Sequence, residues 1–452
     1  MRSKKLTAGI VLAVASVFAL ALAAWATGAV QSSAAAPVGS GTASPTKSVC
    51  GLGTGKKAKG KPINIGAIVT VAVGVNWDEI TDNVRAYFNC VNDNGGINGR
   101  PIKYIVHVDP INPELVAAFA KKLIEEEKVV ALVGNIDVMD CAVNAAYYAQ
   151  KKFYVIGDGV HDLCYGGTPN HIPVNMGPAY STLGAAQYLV RAGAKSIVAV
   201  SPTGVDAQGT WNKPAVEFAK SKGLKGIDVH DPYPTQASYA LKYVQLAGEG
   251  GGVVLDFTTD QVLTVLKAAE QQGIADRVLW AGSTPAYDTR FAEKAGKFWD
   301  GKFGINTELL PFTGKGPDAA LYRQVGAKYV PKKWGLSSFG QFGFVDARVA
   351  TEVMLTLKPS QLTAKGVNAA FLKIKNWKTD LLCKPFYSGN LPGHVPNNWD
   401  ITTTGKDGKM VVRESCFPIA PVTPEIRAAR AAEKKFKLTS GTSYPAPAWL
   451  RK

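Results

Sequence analysis

Carboxylates and aromatic rings stand at the places where an α/β chain gathers its working residues. Asp137, Asp158 and Asp206 each come shortly after an apolar run, and Trp77, His161, Thr258, Thr284 and Tyr287 occupy positions of the same kind. Gln341 and Phe342 lie in SFGQFGF, ahead of a helical pattern at 345–357. Carboxylates accept hydrogen bonds from cationic or hydroxyl donors, and aromatic faces stack on planar or cationic groups. Each aspartate also has a purely structural reading, because aspartate is favoured at helix N-caps and in Asx-turns. A tryptophan in a polar loop, as Trp77 is, has no comparable core role.

Catalytic signatures are missing where they would be sought. The segment GLGTGK at 51–56 resembles a phosphate loop but precedes the first strand, and no Ser or Thr follows Lys56. His161, Asp162, Cys164 and His171 could be gathered into a metal cluster, yet no second close-spaced ligand pair accompanies them. There is no GxSxG elbow and no HExxH. No cofactor, metal or catalytic residue is therefore expected. An exported α/β enzyme stays as an alternative that turnover of a substrate would favour.

These residues need strands and helices to hold them. The run INIGAIV at 63–69 leads through a helix to Asn94-Gly95-Gly96, and Gly99-Arg100-Pro101 restarts the chain as the extended run 102–108. Glycine closes the helix by taking the left-handed conformation, so the stretch reads as a parallel βαβ unit. Further apolar runs at 129–134, 153–157, 194–200, 252–257 and 278–282 alternate with amphipathic helices at 113–128, 142–151, 179–192, 211–223, 237–248 and 261–272. Alternation of this kind implies parallel sheets covered by helices. About 360 residues remain between the flanks, more than one core usually serves, so two domains are expected.

The strand IGAIV, the turn NDNGGINGRPI and the ordered strands after it resemble the solute-binding proteins of branched-chain amino-acid type ABC transporters, over roughly residues 62–420. That resemblance implies a type I periplasmic-binding-protein fold, two Rossmann-like lobes with parallel sheets joined by three crossover segments near 173–180, 306–312 and 380–387. Lobe 1 would combine 62–176 with 309–382, and lobe 2 would combine 177–308 with 383–420. It also implies an ABC transporter permease as membrane partner, a small-molecule ligand, and hinge closure of the lobes. A ligand-sensing receptor module on the same fold is the second reading. Neither reading involves nucleic acid, and a monomer is expected.

The two ends carry most of the charge. Residues 1–62 hold eight Lys or Arg and no acid, and residues 421–452 hold seven against two Glu, so thirteen of the sixteen net positive charges lie there. Residues 1–30 place Arg2, Lys4 and Lys5 before a long apolar run ending near Ala24-Trp25-Ala26. This is a signal peptide or an anchor long enough for about 30 Å of hydrocarbon, so an extracytoplasmic location is expected. Residues 31–61 read as a flexible basic linker and 421–452 as a basic tail. Six cysteines in an exported chain suggest disulfides. Of fifteen connectivities, the expected one pairs Cys141 with Cys164 in neighbouring strand-to-helix loops and Cys383 with Cys416 around a Gly/Pro/Asn-rich segment, leaving Cys50 for Cys90.

In open parallel sheets ligands sit beyond the carboxyl ends of the strands. Amino-acid-binding relatives hold the ligand carboxylate with a hydroxyl-rich loop after the third strand. Here that loop is Asn135-Ile-Asp-Val-Met-Asp140, and acids repel a carboxylate there. The expected solute is therefore small and polar or amphipathic, amino-acid-like, amide or cationic, with cationic or hydroxyl donors favoured over a carboxylate.

Overall fold

The structure is a computed structural model and describes residues 49–438, except 73–74, 167–169, 207, 235 and 389–394. The apolar segment at 1–30 lies outside the described residues. No helix among the described residues is long and apolar enough to cross a membrane.

Strands buried nearly throughout and helices buried along one side alternate along the chain. The first part runs β1 (Ile63–Ala72), β2 (Val75–Asn76), α1 (Asp78–Asp93), β3 (Ile102–Asp109), α2 (Pro113–Lys121), β4 (Leu132–Ile136), α3 (Asp140–Lys151), β5 (Val155–Asp158), α4 (Leu163–Gly166) and β6 (His171–Pro173). Next come α5 (Gly177–Arg191), β7 (Ser196–Pro202), α6 (Lys213–Ser221), β8 (Lys225–Asp231), α7 (Ser238–Ala247), β9 (Gly252–Leu255), α8 (Thr259–Gln271), β10 (Leu279–Gly282), α9 (Phe291–Ala295) and β11 (Phe303–Thr307). The chain closes with α10 (Pro317–Tyr329), α11 (Ser338–Leu355), α12 (Ala364–Phe371), β12 (Trp399–Lys406), β13 (Lys409–Pro418) and α13 (Pro424–Phe436).

Two sheets result. In the first, β3, β1, β4, β5 and β6 lie side by side and parallel, with β2 turning back on the end of β1. In the second, β8, β7, β9, β10 and β11 are parallel, and the hairpin β12–β13 adds antiparallel strands beyond β11. That hairpin was not legible as such, since its strands carry Thr and charged residues in place of an apolar run. α10 and α11 return to the first sheet, where α11 packs on α1, β4 and β5.

SFGQFGF, expected as a loop, is the first two turns of α11, with the Ser337 side chain accepting from Gly340 N. Glycine normally weakens a helix, but a Cβ on Gly343 would lie 2.1 Å from the Ile80 carbonyl oxygen. The residue is small because α1 crosses it closely. At the other end of α1, Gly96 takes φ +60° and its N–H closes the helix on the Val91 carbonyl at 2.9 Å, as the sequence predicts.

Three disulfides join Cys50 to Cys90, Cys141 to Cys164 and Cys383 to Cys416. The first fastens residues 49–61 to lobe 1, helped by Ala58 N on the Asn92 carbonyl and Gly60 N on the Gly99 carbonyl. Beyond residue 420, α13 buries Ile426, Ala429 and Ala432, so part of the basic tail is docked.

The connecting strands are stitched to one another. Asn397 Nδ2 donates to the carbonyls of Val174 and Glu308, each at 2.9 Å, and the Glu308 carboxyl accepts from Met176 N at 2.5 Å. Leu310 N donates to the Leu381 carbonyl at 2.8 Å. Ser388 N donates to the Ile374 carbonyl at 2.9 Å.

Candidate functional site

The carboxyl ends of the two sheets meet around a cavity of about 130 Å³. The first sheet contributes Trp77 after β2, Ile136 at the end of β4 and Asp158 at the end of β5. The second contributes Pro202 from β7, Asp256 and Phe257 after β9, and Thr284 after β10, while Glu308 enters from the crossing after β11. Phe339 and Phe342 reach it from the first turns of α11, and Trp211 and Tyr233 complete an aromatic wall. Among the described residues no Lys, Arg or His lines this cavity.

Three carboxyls therefore stand against an otherwise mainly apolar surface, and each is buried. Burial disfavours the charged form. It pushes the Asp256 carboxyl up to about 7, although the Ser283 hydroxyl donates to it. Glu308 is pushed up to about 8 by burial, against the opposing pull of its bond from Met176 N. Asp158 accepts from Asn175 N at 3.2 Å and faces Asp346 of α11. Burial raises both members of that pair, and the Asp158 charge raises Asp346 further.

Five of the ten expected site residues, Trp77, Asp158, Thr258, Thr284 and Phe342, line this cavity. Thr258 also starts α8, with the Gln261 side chain accepting from its N–H at 3.0 Å. Thr284 is buried, its hydroxyl 2.8 Å from that of Ser181. His161 and Asp206 belong to an adjoining hollow. His161 meets the Gln208 side-chain amide at 2.7 Å across the two lobes, whereas Asp206 is occupied by Ser201 Oγ, Thr210 N and Trp211 N.

Asp137, Tyr287 and Gln341 line neither space. Tyr287 is buried with its ring 6.2 Å from that of Phe312, and Gln341 Nε2 donates to the Leu310 carbonyl at 2.6 Å. Asp137 accepts from Thr70 Oγ1, Met139 N and Asp140 N at 2.8 to 2.9 Å. Those two amides stand at the start of α3, so Asp137 occupies part of the helix N-terminus that could greet an anionic ligand.

The sequence reading missed Asp256, Glu308, Trp211, Tyr233 and Phe339. Asp256 had a signal, a lone acid closing the run GVVLDF, where every other residue is apolar or glycine. Glu308 fell inside an expected crossing and was read as connection only. Sγ of Cys141 and Cys164 lie near His171, but their disulfide leaves the imidazole as the one remaining donor of that group.

Comparison with known proteins places this geometry. Residues 62–409 match the family model described as a periplasmic binding protein. A branched-chain amino-acid ABC transporter protein from Thermus thermophilus, solved with bound valine, superposes with TM-score 0.68 at 16% identity, covering 81% of this chain and 98% of that one. A fatty acid ABC transporter substrate-binding protein from Thermomonospora curvata gives 0.66 at 17% identity, covering 86% and 97%. A substrate-binding protein of an ABC transporter from Aeropyrum pernix gives 0.68 at 13%, covering 82% and 99%. No curated protein sequence matches the chain. At these identities the superpositions establish the fold.

Proposed function

The chain belongs to the periplasmic binding protein family, and from that premise we propose that it is the extracytoplasmic solute-binding component of an ABC importer whose solute is amphipathic and cationic. Lobe 1 is taken as 62–176 with 309–382 and lobe 2 as 177–308 with 383–420. The lobes close on the solute by hinge bending and present the closed form to a membrane permease. Closure follows from differential affinity, because a ligand shifts an equilibrium only by binding one state more tightly.

One observation carries the solute class. Asp158, Asp256 and Glu308 line a mainly apolar cavity to which no basic side chain among the described residues contributes. An ammonium group entering it meets carboxyls that can ionise against it, while its apolar body rests on Trp77, Phe339 and Phe342. At 4 Å and an effective dielectric of about 20, one such pair is worth about 4 kcal/mol. Burial raises the Glu308 carboxyl only to about 8, so ionising it at pH 7 costs on the order of 1 kcal/mol, less than such a pair contributes. The Thermomonospora curvata protein is named for fatty acids and the Thermus thermophilus one holds valine. In this chain a carboxylate head would face three acids and a self-capped helix.

Thermal shift with n-butylamine, butyrate and leucine tests the reading. The amine at one hundred times its dissociation constant should stabilise the protein by about 2.7 kcal/mol, and Trp77→Ala should remove the shift. Stabilisation by butyrate or leucine in preference to the amine would refute the cationic solute.

A further inference from the structure

A second hollow of about 280 Å³ adjoins the cavity between the sheet tips, and the two share Val160, Val205 and Trp211 as walls. On the lobe 1 side its wall includes Ile111, Val138 and Met139. Ile111 has φ +69°, a region where a β-branched side chain is an outlier and where glycine or asparagine is the usual choice.

The surroundings hold Ile111 there. Asp109 accepts from Ile111 N at 2.8 Å with one carboxylate oxygen and from Asn112 N at 2.9 Å with the other. Asn112 in turn accepts from Glu114 N and Leu115 N and caps α2. Backbone strain survives where neighbours over-determine it, and such residues cluster at ligand clamps. The outcome is an isoleucine side chain, 38% exposed, kept at the wall of a hollow that adjoins the cavity of acids. A turn built only to reverse the chain would not need an apolar branched residue at that position.

We propose that the second hollow seats the hydrocarbon extension of the solute, which makes the ligand an elongated primary amine. Its ammonium lies among Asp158, Asp256 and Glu308, and its chain passes Trp211 to reach Met139 and Ile111. This rests on the cationic head group argued above. The rival occupant is a second ammonium on Asp162, an acid in the same wall; Asp206 beside it is already occupied by two amides and a hydroxyl.

Isothermal titration of the purified chain with n-butylamine, n-octylamine and 1,8-diaminooctane separates these cases. Octylamine should bind more tightly than butylamine by roughly fourfold for each methylene that enters the hollow, the factor set by about 0.8 kcal/mol per buried CH₂. Ile111→Gly should weaken octylamine about tenfold while leaving butylamine unchanged. Its melting temperature should hold or rise, since glycine accepts the positive φ. Equal affinity for the two monoamines, tighter binding of the diamine, or an Ile111→Gly variant that binds octylamine normally or weakens both amines alike would overturn the proposal. Failure of both monoamines to bind would instead remove the cationic head group, and the extension with it.

Discussion

Raising pH from 5 to 8 should tighten amine binding, and the acids in the cavity set by how much. In the empty protein, burial pushes Asp256 up to about 7 and Glu308 up to about 8, so at pH 5 both are protonated. A bound ammonium favours the ionised form, so binding releases a proton wherever the free acid holds one. An aliphatic ammonium, with a pKa near that of lysine at about 10.4, stays charged throughout. At pH 5, two units below Asp256, about 1% of that carboxyl is ionised, and the affinity should be about one hundredfold lower than on the plateau above pH 8. If Glu308 is the group that must ionise, the factor is about one thousandfold. Titration of n-butylamine at half-unit steps would show a slope near one decade per pH unit below 7, with proton release in paired buffers. An uncharged ligand that accepts hydrogen bonds from the protonated acids would behave oppositely, weakening as pH rises. Affinity that is flat or falling from pH 5 to 8 would refute the ion-pair reasoning, whatever the fold.

The same acids should leave a mark on stability. Each is protonated more readily folded than unfolded, so its contribution is fully present below about pH 4 and is lost as pH rises through the folded value of about 7 or 8. The melting temperature of the ligand-free protein should therefore be higher at pH 5 than at pH 8, and Asp256→Asn should raise it at pH 8 while weakening amine binding. Removing the third disulfide with Cys383→Ser and Cys416→Ser opens a constraint of 33 residues and should cost about 3 to 4 kcal/mol in denaturant unfolding. Gly343→Ala drives a methyl group against the Ile80 carbonyl at 2.1 Å, and α1 must move away. A loss of about 1 to 3 kcal/mol is expected, together with weaker amine binding, because Trp77 and Ile80 ride on that helix start.

Much of this architecture could be read from spacing, and the reason is physical. Strands buried on both faces must be apolar along their length, so β1, β4, β5, β7, β9 and β10 announced themselves and fixed where the sheet tips lie. β12 and β13 did not, because an added antiparallel hairpin leaves residues such as Lys409 and Arg413 on an open face. The first turns of α11 were read as loop for a related reason. Glycine carries the same letter whether it frees a turn or admits a crossing helix, and only the neighbour, here the Ile80 carbonyl, separates the two.

The site was legible in kind and less so in membership. Strand-end position found Trp77, Asp158 and Thr284, because residues just past a parallel strand have few places to go except the cleft. It could not tell Asp158, which faces the cavity, from Asp137, which turns back to cap α3. Both follow an apolar strand, and the difference lies in whether the next two amides fold over the carboxylate. Glu308 escaped because the strand it follows, β11, is not among the apolar runs the sequence displays, so its place at a strand tip stays hidden. It reaches the cavity only where three separated stretches of chain are drawn together by Asn397 and Met176. Its carboxyl thus borders both the cavity and the connecting strands. Sequence order alone hides such a residue, since its partners lie more than eighty positions away on either side.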